Sequence, residues 1–135
     1  MSPRTLFLSR LIGMYCIVAA LSMLLRGQGF ADAVTLMLRD APLMLFVGAT
    51  TLAAGLAMVL AHNVWSGSAP AVIVTVISWL TVIKGSLLLI LTPETEAAFF
   101  MQELHYHEFF HFYAAISFAV GVYLTYCGFR KSLRS

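Results

Sequence analysis

Four long apolar stretches, separated by short segments that hold most of the charges and prolines, dominate the pattern along the chain. A bilayer span needs about 20 predominantly apolar residues, and each stretch is close to that length. The pattern therefore predicts four transmembrane spans, at about 7–25, 42–61, 70–91 and 109–128. Because lipid offers the backbone no hydrogen-bonding partner, each span is expected to be an α-helix. The predicted fold is an all-α, four-helix membrane bundle that occupies residues 1–135 as a single domain.

Helix-capping residues and prolines lie at the ends of the predicted spans. Asp40 lies shortly before Pro42, and Ser68 lies shortly before Pro70, which is the usual chemistry of an N-cap and a first helical turn. Residues 94–108 mix Glu, Phe and Met at helical spacing, which favours a short interfacial helix before the fourth span. The first apolar stretch lacks the small-residue cleavage site of a secretory signal, so we expect a retained first span.

Lysines and arginines near the span ends predict the orientation, because cytoplasmic segments carry an excess of them. Five lie on the side that holds both termini: Arg4, Arg10, Arg130, Lys131 and Arg134. The segment between the first and second spans holds two, Arg26 and Arg39. We therefore expect both termini in the cytoplasm and the histidine-bearing segment 92–108 outside.

Composition agrees with the membrane class and narrows the range of functions. The chain is 61% hydrophobic and 10% charged, with a mean hydropathy of +0.91. Soluble domains average about 45–50% apolar and about 25% charged residues. A net charge of +2 is too small and too scattered for a nucleic-acid partner. The sequence holds no phosphate-binding loop, dithiol motif or nucleophile elbow, so no catalytic residue is assigned and a non-enzymatic role is favoured.

A weak internal repeat relates the two halves of the chain. The segment that begins at Leu11 can be laid over the segment that begins at Val76, which aligns Ala20 with Gly85. Gly55 and Gly121 then correspond nearly in phase. The halves would be two helical hairpins of the same orientation, produced by duplication. Chance matching of small and apolar residues is the alternative.

Alanines recur once per turn along the second predicted span: Ala49, Ala53, Ala57 and Ala61. Small side chains let transmembrane helices approach closely, and this contact stabilises their association in lipid. Two interpretations remain open, internal packing within the bundle and a seam between copies in a homo-oligomer.

Lys84 is the one strongly charged residue well inside a predicted span. It lies about 10 Å along the helix from Leu91, at a rise of 1.5 Å per residue. Such residues are costly in hydrocarbon and commonly functional. Lys84 is expected to hold an anion, a lipid headgroup or a partner carboxylate, with Glu103 and Glu108 as the nearest candidate counter-charges. Snorkelling toward the interface, or hydrogen bonding to nearby carbonyls and hydroxyls, is the alternative.

The segment His107-Glu108-Phe109-Phe110-His111 matches the pattern H-E-x-x-H. Two imidazoles one turn apart can share a zinc ion, and Glu103 falls on the same helix stripe as a further ligand. The five residues resemble the motif of zinc metalloproteases, although no third downstream ligand follows. The alternative is an interfacial polar cluster of Lys84, Glu108 and His111, which requires the third and fourth spans to be antiparallel neighbours.

The region after the second span carries a further set of polar and aromatic residues: His62, Asn63, Trp65, Trp79 and the pair Lys84-Gly85. Over roughly residues 43–93 this set resembles small four-helix bacterial inner-membrane proteins with a similar His-Asn-x-Trp loop. The resemblance implies a multi-pass bundle in the bacterial inner membrane and implies no activity. The loop residues themselves are interpreted as capping and interfacial groups, or as groups that dock the loop or contact a partner.

These observations favour a non-enzymatic accessory or binding subunit of the membrane. Its partners would be the lipid bilayer and other membrane helices, in a homo-oligomer or a larger complex. Lys84 and the outer His/Glu cluster would contact a partner or a lipid. The alternatives are a metal-binding protein or metalloenzyme that uses zinc at His107, Glu108 and His111, and an oligomeric anion channel or small transporter lined by Lys84.

Overall fold

The computed structural model describes residues 2–99 and 109–130, which are helical throughout apart from short connections. The helices are α1 (Pro3–Arg26), α2 (Gln28–Arg39), α3 (Ala41–Ala61), α4 (Ala69–Ile90), α5 (Pro93–Ala98) and α6 (Phe110–Arg130). Four of them, α1, α3, α4 and α6, are long and apolar enough to cross a membrane. The four predicted spans are thus confirmed as long apolar helices, with ends that differ by a few residues.

Local chemistry at the helix starts agrees with the sequence. The Asp40 carboxylate accepts a hydrogen bond from the backbone N–H of Leu43 at 3.0 Å, and Pro42 lies in the first turn of α3. Ser68 occupies the N-cap position of α4, with Pro70 in its first turn. The Asp40 carboxylate satisfies an N–H group that has no partner at a helix start, and each proline removes one, whereas the Ser68 side chain makes no capping hydrogen bond. Both helices begin within one residue of the predicted start.

The four long helices form two tightly packed antiparallel pairs, α1 with α6 and α3 with α4. Each pair closes on a glycine. A Cβ built on Gly55 would lie 2.7 Å from the backbone nitrogen of Val82, and one built on Gly121 would lie 2.9 Å from that of Ile17. The third and fourth spans, predicted to be antiparallel neighbours, meet where Val74 and Leu124 share a cluster, but neither is the main partner of the other. Here α6 packs mainly on α1, while α4 packs mainly on α3.

The repeat seen in the sequence has a counterpart in these contacts. The alignment that places Ala20 on Gly85 also places Ile17 on Val82. Gly121 meets Ile17, and its counterpart Gly55 meets Val82, so corresponding glycines approach corresponding backbone atoms. The α1–α6 pair therefore has the same helix register as the α4–α3 pair. A shared cluster that includes Leu8, Ile12, Val74 and Leu124 joins the two pairs.

The segment between the first and second long helices, expected to be a connection, is the amphipathic helix α2. Gly27, with φ of +53°, makes the turn that separates α1 from α2, a conformation that suits glycine. Ala31, near the start of α2, packs in a cluster with Met23 of α1 and Phe110 of α6. At the other end of α2, Leu38 packs with Met44 and Leu88. Helix α2 therefore bridges the two pairs.

Part of the predicted interfacial helix at 94–108 is present as α5, a short helix that lies against α2. The rest of that prediction, from residue 100 onward, lies outside the described residues.

Candidate ligand groove

Lys84 lies on α4, six residues before the last helical residue, Ile90. This is about 9 Å from the helix end at 1.5 Å per residue. The side chain is exposed and lines a groove of about 470 Å³ between α1, α2, α3 and α4. Of the described residues that line this groove, Lys84 carries a charge. We call it the Lys84 groove. The fold therefore brings one cation to the wall of a largely apolar cleft.

Helix α2 forms the roof of the Lys84 groove. Its apolar side contributes Phe30, Val34, Met37 and Leu38. Leu38 is fixed by the cluster with Met44 and Leu88, while Phe30 contacts the ring of Phe110 at 6.3 Å between centroids. Because both ends of the roof are packed, the groove is a built feature of the fold, with walls from both helix pairs.

Among the described lining residues, the polar groups other than Lys84 are hydroxyls. The hydroxyl hydrogen of Thr81 already forms a hydrogen bond within α4. Thr81 Oγ1 donates to the carbonyl oxygen of Ile77 at 2.7 Å. Tyr15 and Thr51 also contribute hydroxyl-bearing side chains to the lining. A ligand that suits this groove therefore carries an acidic group for the ammonium of Lys84 and apolar surface for the remaining walls.

The two halves of the chain differ at the position of the lysine. The alignment that superimposes Ile17 on Val82 places Ala19 on Lys84. Ala19 is half-buried in a helix whose packing register matches that of α4. A small apolar residue thus suffices for packing at this register position, and the lysine adds chemistry that helix packing does not require.

The loop residues His62 and Asn63 dock the α3–α4 connection onto α4. His62 is buried, and its Nε2 lies 3.3 Å from the carbonyl oxygen of Ala71, to which it donates. Trp79 Nε1 donates to Asn63 Oδ1 at 3.3 Å. Trp65 at the end of the motif is 61% exposed. Two of the interpretations offered by the sequence hold: His62 is the C-cap residue of α3, and loop docking describes the side-chain contacts of His62 and Asn63.

Thr75 completes this docking and was not singled out in the sequence. Its hydroxyl accepts from the backbone N–H of Val64 at 3.0 Å and donates to the Val64 carbonyl at 2.9 Å, with a further contact to Ala71. Thr75 is fully buried. A threonine about two turns inside an apolar helix gives no sign in the sequence that it docks a loop.

The alanine stripe of α3 lies on the outside of the helix pair. Ala49, Ala53, Ala57 and Ala61 are all exposed. The residues of α3 that are buried include Gly48 and Gly55, which pack against α4. Ala57 and Ala61 line a groove between α1 and α3, whereas glycines on another face provide the close approach to α4, so the homo-oligomer seam stays a prediction.

His111 lies in the first turn of α6, exposed, with its ring edge against Phe110 at 5.6 Å between centroids. The other members of the predicted zinc site and counter-charge set, His107, Glu103 and Glu108, lie outside the described residues. Within the parts of the chain that the structure describes, no group of three His, Cys, Asp or Glu side chains is placed to hold a metal ion. The described lining of the Lys84 groove comes from α1 to α4 and includes no residue of α6.

Sequence reasoning selected Lys84 but missed the α2 residues that roof its groove. A signal was present, because Phe30, Val34 and Met37 recur at helical spacing. The chain matches no protein family, no curated protein and no solved structure.

Proposed function

We propose that this protein is a non-enzymatic, multi-pass membrane protein that binds the acidic group of an amphiphile at Lys84. The observation that carries the proposal is a single lysine on the wall of an apolar groove, at a register position where the other half of the chain has alanine. An acidic ligand would add a charge-assisted hydrogen bond to the lysine, and such a bond is stronger than one between neutral groups.

The surface of the helices supports a membrane location. Large apolar side chains are exposed along the long helices, for example Val18 (63%), Phe46 (68%) and Ile90 (78%). Contact with water would penalise each by roughly 25 cal/mol per Å² of apolar area, whereas lipid would not. The distribution of Lys and Arg favours cytoplasmic termini, and the resemblance of residues 43–93 favours the bacterial inner membrane.

We further propose that the two halves arose by duplication of a helical hairpin. The equivalent contacts of Gly55 with Val82 and of Gly121 with Ile17 support a common ancestor. Loss or gain of the lysine in one half would then have made the halves different. This origin explains why the Lys84 groove has a specialised wall on α4 and why α1 offers only Ala19 at the matching position.

The ligand chemistry is an anionic head attached to an apolar chain. A phosphate headgroup of a membrane lipid and the carboxylate of a fatty acid both satisfy it, since each accepts hydrogen bonds from an ammonium. Two arms of one experiment distinguish them. In the first, the purified protein is placed in nanodiscs of phosphatidylcholine with increasing phosphatidylglycerol, and retained lipid is quantified by native mass spectrometry. In the second, palmitate is titrated into phosphatidylcholine nanodiscs.

Lys84→Ala is the test variant because alanine occupies the matching position on α1, and Lys84→Arg keeps the charge. Arg39→Ala is the control, since Arg39 is an exposed cation at the end of α2 outside the groove lining. A charge-assisted hydrogen bond contributes about 1.5–3 kcal/mol. Lys84→Ala should therefore weaken binding by about 10-fold or more, while both other variants bind like wild type. Unchanged binding by Lys84→Ala in both arms would overturn the proposal.

A second candidate function is favoured by the exposed alanines of α3, which give other membrane helices a surface for close approach. The protein would then act as an accessory subunit or a homo-oligomer. Mass photometry of nanodisc-reconstituted protein tests this. Ala53→Leu should reduce the oligomeric fraction, whereas a similar change at Val18, an exposed residue of α1, should not. A wild-type protein that stays monomeric at every concentration, and co-purifies with no subunit, would rule it out.

A further inference from the structure

The Lys84 groove continues as an apolar groove between α1 and α3. Thr51 and Thr81 line both the Lys84 groove and an adjoining cavity of about 450 Å³. Ala54 and Met58 line that cavity and a third one of about 600 Å³, which ends beside Arg4. Each cavity shares lining residues with the next one, so the three form a single path along the α1–α3 side of the protein. We call its second and third parts the tail groove.

The tail groove follows from the way the helices pair. Helix α1 packs on α6 at Gly121, and α3 packs on α4 at Gly55. Helices α1 and α3 therefore face each other without a glycine contact that would bring their backbones together. Small side chains of α3, such as Ala54 and Ala57, line one wall, and Leu11 of α1 lines the other. The gap is a consequence of pairing and persists while both pairs are intact.

The tail groove calls for an apolar occupant. Its lining is almost wholly hydrocarbon, and Thr50, a hydroxyl-bearing residue there, already donates to the carbonyl oxygens of Phe46 and Val47 at 2.9 and 3.0 Å. Along α3, Leu52 packs on Gly85, next to Lys84, and the path from Leu52 to Ala61 covers about 14 Å at 1.5 Å per residue. An extended acyl chain is long, flexible and thin, whereas a protein helix has a diameter of about 10 Å with its side chains.

A cation lies at each end of the path, and the acidic head is assigned to Lys84 because helix α2 covers that end. Lys84 lies at the roofed end of the path, about 9 Å inside the end of α4, where a compact acidic head would lie beneath α2. Arg4 lies at the other end of the path, where α1 begins. A carboxylate is the smallest acidic head of a membrane amphiphile and needs no room for a second chain.

We infer that the ligand is a long-chain carboxylate, with its head at Lys84 and its chain in the tail groove between α1 and α3. This inference rests on the proposed function, because Lys84 supplies the head contact. The tail groove makes a separate contribution, since it selects the length of the chain. Affinity should rise with chain length until the chain reaches the Arg4 end and then level off.

The test measures binding of octanoate, laurate, palmitate and stearate to the full-length protein in phosphatidylcholine nanodiscs. Ala54→Trp fills the middle of the tail groove. Ala53→Trp is the matched control, because Ala53 is the exposed neighbour of Ala54 and does not line the groove. Ala54→Trp should lower palmitate affinity at least 10-fold, whereas Ala53→Trp should bind every chain like wild type. Lys84→Ala should weaken all chain lengths by a similar factor.

The outcomes separate the two proposals. If Ala54→Trp leaves palmitate affinity unchanged while Lys84→Ala lowers it, the tail groove is refuted and the head contact stands. If Lys84→Ala has no effect while Ala54→Trp does, the assignment of the head to Lys84 fails. The inference of a carboxylate bound at Lys84 then fails with it. Absence of binding to wild type refutes both.

A second measurement uses the wild-type protein and does not depend on how the variants fold. Palmitate with a photoreactive group at its terminal carbon is irradiated in the complex, and labelled residues are located by mass spectrometry. The inference expects labels at the Arg4 end of the groove, on lining residues such as Phe7 and Ala61. Labels concentrated on the face of α3 away from the groove, at exposed residues such as Leu45 and Leu56, would overturn it.

Discussion

The close approach of the paired helices predicts a specific cost for alanine at Gly55. Its Cβ would lie 2.7 Å from the backbone nitrogen of Val82 and 3.0 Å from the carbonyl carbon of Thr81. Ordinary carbon contacts are about 3.5–4.0 Å, so the helices must separate by up to about 1 Å. The backbone atoms cannot rotate away, and overpacking of this kind costs about 1–3 kcal/mol. Alanine returns up to about 1 kcal/mol through its better helix propensity.

Gly29→Ala isolates the propensity gain, because a Cβ on Gly29, within helix α2, would have no neighbour within 4 Å. It should stabilise the protein by about 0.5–1 kcal/mol. Gly55→Ala should instead destabilise it by about 1–2 kcal/mol after the same gain is included. Reversible unfolding in mixed micelles with increasing SDS measures both. If Gly55→Ala is as stable as Gly29→Ala, the helices do not touch at Gly55.

The same reasoning covers the other pair. A Cβ on Gly121 would lie 2.9 Å from the backbone nitrogen of Ile17, close to the distance found for Gly55 and Val82. Gly121→Ala should therefore cost about as much as Gly55→Ala, about 1–2 kcal/mol in the same assay. A large cost at Gly55 combined with none at Gly121 would contradict the equivalence of the two pairs.

Three further predictions concern loop docking, orientation and metal. Thr75→Val removes the hydroxyl partner of the Val64 N–H and carbonyl in the docked loop, so it should lower the free energy of unfolding by about 1–3 kcal/mol. Thr50 is an exposed threonine bonded within its own helix, so Thr50→Val should change that free energy by less than about 0.5 kcal/mol. Unfolding in SDS measures both. For orientation, in a cysteine-free background, Thr95→Cys should react with an impermeant maleimide on intact cells, and Ser66→Cys should react only after lysis. The reverse result would mean that the termini do not lie in the cytoplasm. If the H-E-x-x-H segment binds zinc, purified protein should hold one equivalent that His111→Ala removes, and metal-free wild type at neutral pH would exclude it.

The long helices and their ends could be predicted because apolar length and capping chemistry act locally. Four apolar runs of about 20 residues define the spans, and Asp40 and Ser68 mark two of the starts. Helix α2 was missed because it is short, begins among glycines and carries Asp32 and Arg39 on its polar side. Its spacing favours an amphipathic helix, but a segment of this length forms only when its apolar side has a surface to pack on.

Helix pairing could not be predicted from sequence in the same way. Small residues allow two helices to approach closely, but they do not name the partner, since every span is apolar. Helix α3 carries small residues on two faces, Gly48 with Gly55 and Ala49 with Ala53, and only the folded chain shows that the glycines face α4. Lys84 was found because a charge within an apolar run is conspicuous, whereas its groove depends on residues from four separate helices.

The packing of α1 on α6 has a consequence for biosynthesis. Helices α3 and α4 are adjacent in the chain and can close as soon as α4 emerges from the ribosome, because the loop between them is short. Helix α1 is made before both, yet the surface around Gly13 that packs on α6 lacks that partner until α6 itself is translated. A nascent chain arrested before Phe110 therefore contains a finished hairpin beside an unmatched N-terminal helix. Translational pausing or C-terminal truncation in that interval leaves α1 open to quality-control proteases and insertion chaperones.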